Sequence, residues 1–126
     1  MADLTGEGYW DGIINAALCK LFILKALYDS PMHGYALIQR ITSMTDGFCV
    51  PTEGGLYPIL KEFECCGCAT VSLETVEGRT RKVYALTEKG REALFAGLDA
   101  WEKAIPQLIR ALRGTEKQSK FSGRED

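Results

Sequence analysis

The sequence predicts a mostly helical α+β protein, built from three helices, a β-hairpin and a long final helix. Apolar residues recur at helical spacing in four stretches of the chain. Two runs of alternating residues surround a glycine turn between residues 69 and 87, which is typical of a hairpin. The length of 126 residues suits one folded domain with a real core, and 46% hydrophobic with 25% charged residues is an ordinary globular balance.

The first predicted helix spans residues 13–29 and is apolar almost all round, as buried helices are. Asn15, Lys20 and Lys25 interrupt it, and it is too short to span a bilayer comfortably, so no membrane association is expected. Residues 1–12 are polar, acidic and glycine-bearing, do not resemble a signal peptide, and are expected to be flexible. A cytoplasmic protein is expected, with its five cysteines kept reduced.

Two shorter helices are predicted next, over residues 33–45 and from residue 52 onwards. The hydroxyl of Thr52 can cap the third helix, and Glu53 lies at its positive end. Gly67 is well suited to end it. The apolar positions of this helix fall at i, i+3, i+4 and i+7, which predicts a buried stripe made of Leu56, Ile59, Leu60 and Phe63.

The period then changes to two in the stretches "ATVSLETV" and "RKVYALT", which predicts a β-hairpin. Thr87 can cap a final helix over residues 87–113, and the polar residues 114–126 are expected to be a disordered tail. The apolar positions of this helix alternate steps of four and three, a heptad seam typical of helix–helix dimerisation, at Leu94, Leu98, Trp101, Ile105, Leu108 and Leu112. An amphipathic helix packed on its own core would show the same pattern, and this alternative stays open.

The order of these elements describes a winged helix-turn-helix over residues 13–86, followed by a C-terminal dimerisation helix over residues 87–113. In such a domain the third helix enters the DNA major groove and the hairpin forms the wing. Many small α+β domains share this order of elements. The net charge of −2 argues mildly against binding to nucleic acid, because phosphates require cations.

Three longer stretches carry more specific information, namely "SPMHGYALIQRI", "PTEGGLYPILKEFE" and "GRTRKVYALTEKGREAL". Together they resemble the PadR family of bacterial transcriptional regulators, over roughly residues 18–112. The single short C-terminal helix is similar to the smaller subfamily. The resemblance implies a homodimer that binds double-stranded operator DNA and is released by a ligand, as a repressor. No cofactor and no enzymatic activity are expected, and His33 corresponds to a structural residue at a helix start.

The resemblance also indicates which residues approach DNA. The segment Leu56–Pro58 opens the recognition helix of the family, and the wing supplies the basic charge that the acidic third helix lacks. The expected DNA-contacting residues are Thr52, Glu53, Gly54, Gly55, Tyr57, Lys61, Arg79, Arg81 and Lys82. Two alternatives remain: Tyr57 could be half-buried packing, and the basic run could be only a solvated face. A winged protein–protein adaptor without DNA binding is the rival function.

An effector site is implied at the dimer interface of the smaller subfamily. Trp101 stands at a position similar to the aromatic residue that lines that site. Ile14, Leu18 and Phe22 of the first helix are expected to form the opposing wall. Aromatic faces suit planar, hydrophobic or cationic ligands, so a planar hydrophobic small molecule is the expected effector. Trp101 could equally serve only to pack the dimer.

The stretch "ECCGC" departs from the family pattern with three cysteines, Cys65, Cys66 and Cys68. Thiolates at short spacing suit soft metals, so the three residues are candidate ligands of a three-coordinate ion such as arsenite or mercury. A thiol-responsive or soft-metal-responsive regulator is therefore a second possibility. Free cysteine is also a common buried hydrophobe, and structural filler is the plainer interpretation.

Overall fold

A computed structural model of the protein describes residues 3–115, which form four helices and three strands. By their contacts the residues fall into two units, Met1–Phe95 and Ala96–Asp126. The first unit contains every element except the later turns of the last helix. The elements are α1 (Glu7–Asp29), β1 (Met32–His33), α2 (Gly34–Met44), α3 (Glu53–Cys65), β2 (Ala69–Val76), β3 (Arg79–Leu86) and α4 (Glu88–Leu112).

The start of α1 corrects the expectation of a flexible segment over residues 1–12. The helix begins at Glu7, six residues earlier than residue 13, and Gly6 occupies the extended N-cap position. The indole nitrogen of Trp10 donates to the carbonyl oxygen of Leu4 at 2.7 Å, which ties the chain before the helix to its first turn. Glu7 also favours a helix start, because its carboxylate lies at the positive end of the helix dipole.

The sheet is antiparallel with the strand order β1-β3-β2. The hairpin turn consists of Glu77 and Gly78, both with positive φ, as a two-residue type I′ turn requires. Val76 pairs with Arg79 across the turn, and the pairing continues to Ala69 and Leu86. The predicted hairpin is therefore confirmed, whereas β1 was not foreseen because two residues are too few to display a period.

The core of the first unit is made of aliphatic side chains from all four helices. The largest fully buried ones are Ile23, Leu37, Ile41, Leu56, Leu60 and Leu94. Three of the four residues predicted for the stripe on α3 are buried, while Ile59 is half-buried. Burial of an aliphatic side chain of this size contributes roughly 1.5–3 kcal/mol, so the orientation of α3 is set by this stripe.

The helix caps predicted from sequence at Thr52 and Thr87 are both present. Thr52 accepts a hydrogen bond from the backbone nitrogen of Gly55 at 3.1 Å, and Thr87 accepts one from that of Gly90 at 3.1 Å. Gly67 has a φ of 82° just after α3, as expected for a glycine that ends a helix. These local signals need no tertiary contact, which is why sequence alone places them well.

The second unit contains α4 from Ala96 onwards. The side chains of the predicted heptad seam become less buried along the helix. Leu94, in the first unit, is buried, and Leu98 and Trp101 are half-buried. The later seam residues are largely exposed, with exposed fractions of 49%, 58% and 45% for Ile105, Leu108 and Leu112.

No helix within residues 3–115 combines the length and the apolar character that a membrane crossing needs. The predicted disordered tail, residues 114–126, lies outside the described residues from position 116 on.

Candidate nucleic-acid interface

The N-terminal turn of α3 presents its backbone to solvent. Thr52 caps the helix, and Thr52, Glu53, Gly54 and Gly55 are all exposed. A side chain at Gly54 would meet nothing within 4 Å, so another molecule has room to approach the backbone here. Exposed N–H groups at a helix start attract anions such as phosphate. The glycines therefore allow the close approach that the sequence predicted.

Tyr57 packs across the start of α2 and also remains 41% exposed. A methyl group at Gly34 would collide with the Tyr57 hydroxyl and would lie 2.6 Å from the ring carbon that bears it. Any side chain at position 34 would therefore require the Tyr57 ring to move. The preceding residue, His33, caps α2 by accepting from the backbone nitrogen of Ala36 at 3.4 Å. The sequence "HGY" thus begins α2, and its glycine accommodates the Tyr57 ring of α3.

A cleft of about 340 Å³ separates α3 from the wing. Lys61 of α3 and Lys82 of β3 both line it, together with Tyr57, Pro58, Glu64 and Tyr84. Tyr84 is 4% exposed, and its burial raises the pKa of the phenol, as do nearby Tyr57 and Glu64. The cleft brings cations from two predicted DNA-contacting elements together, with the carboxylate of Glu64 offsetting part of their charge.

The basic residues of the wing lie on both faces of β3. Side chains alternate along a strand, so Arg79 and Arg81 share one face, while Lys82 shares the other with Tyr84. Arg79, Arg81 and Lys82 are all exposed. Glu74 stands opposite Arg81 on β2, and their charged groups approach to 3.8 Å. From sequence, all three cations are expected together at the tip of the wing. In the structure Lys82 lines the cleft, whereas Arg79 and Arg81 lie on the other face of β3.

One acidic residue of α3 is engaged elsewhere in the fold. The carboxylate of Glu62 accepts from the Lys20 ammonium group of α1 at 3.1 Å. The charge of Glu62 is therefore partly neutralised within the protein. This contact partly offsets the excess of acidic over basic residues on α3. Glu53 remains exposed at the helix start.

The three-thiolate site predicted at Cys65, Cys66 and Cys68 is not formed. The sulfur atoms of Cys66 and Cys68 lie 3.4 Å apart. Within residues 3–115, however, no group of three or more His, Cys, Asp or Glu side chains is placed to hold a metal ion. The short segment can bring two thiols together because Gly67 turns the chain, and the prediction is corrected from three ligands to one pair.

Cys49 lies beside Cys19 of α1 rather than beside the other cysteines. Burial raises the pKa of the Cys19 thiol, and the neighbouring Cys49 raises it further. All five cysteines are free. No sequence signal could have shown this proximity, because the two residues lie thirty positions apart in different elements.

The residues expected at an effector site are partly accessible. Ile14 is 43% exposed, and Leu18 and Phe22 are half-buried on the same helix. Trp101 is half-buried and belongs to the second unit. Their grouping around a ligand stays a prediction.

Comparison with known proteins places the chain in a family. Residues 23–96 match the model of the transcriptional regulator PadR-like family. Transcriptional regulator Rv3488 of Mycobacterium tuberculosis is 32% identical over 107 residues, which cover 85% of this chain and 94% of the relative. Transcriptional regulator YqjI of Escherichia coli is 34% identical over 73% of this chain and 42% of its own length.

Solved structures agree with this assignment. A putative transcriptional regulator of Thermoplasma acidophilum, TA0346, aligns with a TM-score of 0.64 and 29% identity over 82% of this chain and 96% of its own. Bacillus subtilis PadR in complex with operator DNA aligns with a TM-score of 0.59 and 24% identity over 64% of this chain and 46% of its own. The chain belongs to the PadR-like family of transcriptional regulators and has its winged-helix fold.

The contact between Gly34 and Tyr57 yields a prediction about how α3 packs on α2. Gly34→Ala should lower the free energy of unfolding by about 1–3 kcal/mol, because the added methyl overpacks the Tyr57 ring. In a Tyr57→Ala background the same substitution should cost much less, since the colliding ring is gone. Urea denaturation of the two single variants and the double variant measures this coupling.

Gly54→Ala serves as the matched control, because Gly54 also lies in the first turn of a helix but has open space around it. Its effect should be the same with or without Tyr57. Equal costs of Gly34→Ala in both backgrounds would show that Tyr57 does not depend on this glycine.

Proposed function

We propose that the protein is a sequence-specific DNA-binding transcriptional regulator, a dimeric repressor that a small ligand releases from its operator. The observation that carries the proposal is the cleft where Lys61 of α3 and Lys82 of the wing converge. Cations from two separate elements at one opening suit a phosphate backbone that passes between them. The absence of enzymatic activity expected from sequence fits a family of transcriptional regulators.

The DNA-binding role is supported by a related structure, since Bacillus subtilis PadR is described in complex with operator DNA. By analogy, α3 enters the major groove and the hairpin lies along the backbone. The exposed turn from Thr52 to Gly55 then meets phosphate or base edges. Arg79 and Arg81 reach phosphates from one face of the wing, and Lys82 from the other.

Dimerisation is supported by the apolar face of α4 in the second unit. Ile105, Leu108, Ile109 and Leu112 fall at i, i+3, i+4 and i+7, and all are 45% exposed or more. Four exposed aliphatic residues on one helical stripe favour a second helix as their partner. A second copy of the chain supplies the same stripe, and a dimer of winged domains matches the two-fold symmetry of many operators.

The proposed effector is a planar hydrophobic molecule that stacks on Trp101. Ile14, Leu18 and Phe22 provide accessible apolar surface on α1. Binding of the ligand at the dimer contact would shift the spacing of the two wings, and with it the affinity for DNA. Ligand and DNA would then oppose each other through one conformational equilibrium.

Removal of the wing arginines tests the DNA interface. Arg79→Ala combined with Arg81→Ala should weaken binding to DNA from upstream of the protein's own gene. The slope of log affinity against log salt should become shallower by about one to two units, because fewer counterions are released. Fluorescence anisotropy over a salt series measures both quantities.

Lys25→Ala combined with Arg91→Ala removes the same charge from a site away from α3 and the wing, where both cations lie over the Tyr28 ring. This control should leave the salt slope unchanged. A wild-type protein that fails to shift its own upstream DNA in a gel would favour the adaptor function instead.

Introduction of a charge on the apolar face of α4 tests the dimer. Leu108→Glu should shift sedimentation from dimer to monomer, because each copy would bury an unpaired carboxylate at a cost of several kcal/mol. Gln107→Glu adds the same charge to the opposite side of the helix and should leave the dimer intact. Equal sedimentation of both variants would show that this face of α4 does not form the dimer interface.

Tryptophan fluorescence tests the effector site. The chain has two tryptophans, so Trp10→Phe leaves Trp101 as the only emitter of its kind. A planar hydrophobic dye should quench Trp101 in this variant through stacking. Trp101→Phe, which retains Trp10, should show no saturable quenching. Absence of saturable quenching in Trp10→Phe would exclude Trp101 from the binding of such molecules.

A further inference from the structure

The turn between α3 and β2 holds two thiols in a defined geometry. Cys66 ends the helix, and Gly67 follows with a φ of 82°. The backbone nitrogen of Cys68 donates to Phe63 at 2.8 Å, and that of Gly67 donates to Glu64 at 3.2 Å. These two bonds are those of a Schellman motif. The turn fixes the backbone of both cysteines, and their sulfur atoms lie 3.4 Å apart.

The distance between the two sulfur atoms indicates which kind of bond or bridging ion they can accommodate. A disulfide bond is about 2.05 Å long, so its formation requires the sulfurs to approach by more than an ångström. A linear two-coordinate ion with bonds of about 2.3 Å requires them to lie about 4.6 Å apart. A pyramidal centre has smaller bond angles and therefore holds its two sulfurs closer together than a linear ion does, which suits the 3.4 Å between the sulfur atoms of Cys66 and Cys68.

The number of protein side chains that can bind an ion here further limits which ion fits the site. A structural zinc ion takes four ligands, and residues 3–115 offer no group of three candidate side chains for any metal. A centre that needs only two protein sulfurs must bring its third substituent with it. Trivalent arsenic that carries one organic group meets this requirement, because two of its three bonds are available to soft thiolate ligands.

We propose that Cys66 and Cys68 form a chelating site for monosubstituted trivalent arsenicals. An arsenic oxide of this kind reacts with both thiols. Two S–H bonds and the arsenic–oxygen bonding break, two As–S bonds form, and the oxygen leaves as water with the two protons. The oxidation state of arsenic and of both sulfurs is unchanged, so the step requires no oxidant. The product is a ring closed across Gly67.

The surroundings of the pair suit this chemistry. Cys66 is exposed and offers the first point of attack, while Cys68 is buried and closes the ring from the protein side. Burial is the main cause that raises the pKa of the Cys68 thiol, and the adjacent Cys66 raises it further. A protonated thiol is a poor partner for disulfide exchange, whereas the oxygen of the arsenical can accept its proton.

Phenylarsine oxide tests the site on the full reduced chain. Intact mass spectrometry at one equivalent should show one phenylarsenic group added with the loss of two hydrogens. Cys66→Ser should weaken this binding by about 100-fold or more, because the second bond is made at high effective concentration. Cys65→Ser, an exposed neighbour outside the pair, and Cys49→Ser, which removes the Cys19 partner, should both retain wild-type affinity.

Protection from alkylation identifies the site without any substitution. After the arsenical is bound, iodoacetamide should modify the exposed Cys65 and should spare Cys66, which is also exposed and should be alkylated in the unloaded protein. Wild-type affinity in Cys66→Ser, loss of binding in Cys65→Ser or Cys49→Ser, or alkylation of Cys66 in the loaded protein would each overturn the proposal. The measurements involve no DNA, so their outcome is independent of the proposed regulatory function.

Discussion

The backbone of Gly67 and Cys68 is the point where the helical and sheet parts of the first unit are joined. The carbonyl oxygen of Cys68 accepts from the backbone nitrogen of Thr87 at 3.0 Å, and that of Gly67 accepts from the Thr87 hydroxyl at 2.6 Å. Gly90 passes so close that a methyl there would collide with the Cys68 carbonyl and lie 2.5 Å from the Leu86 side chain. The end of α3, both ends of the hairpin base and the start of α4 therefore have fixed relative positions.

This junction also positions the two sides of the cleft between α3 and the wing. Because the base of the wing is bonded to the end of α3, both walls of the cleft that contains Lys61 and Lys82 are anchored at the same junction. The other end of α3 is seated by Tyr57 against Gly34. α3 is thus held at both ends, while its exposed N-terminal turn stays accessible. The cysteine pair lies inside the junction, so an atom bound there would act on the helix and the wing together.

The distribution of charge matters more to this protein than its net charge of −2. Asp29 accepts from both Lys25 and Arg40 at 2.7 Å, and the Lys25 bond is the main cause that lowers the pKa of this carboxyl. Glu62 accepts from Lys20. Such exposed pairs contribute little to stability, but they neutralise acidic groups locally. The wing cations are exposed in a chain whose overall charge is slightly negative, and one of them, Arg81, lies 3.8 Å from Glu74.

The sequence by itself determined the order of the four helices and the hairpin, the caps at Thr52 and Thr87 and the turn at Gly67, because these depend on contacts within a few residues. It misplaced the start of α1, which depends on Trp10 reaching back to Leu4. Only the tertiary structure decided that Tyr57 rests on Gly34, that the Lys82 face of β3 is the one that lines the cleft beside α3, and that two of the three clustered thiols form a pair. These features depend on distances between elements, or on strand register and turn geometry, and a one-dimensional pattern does not encode such distances.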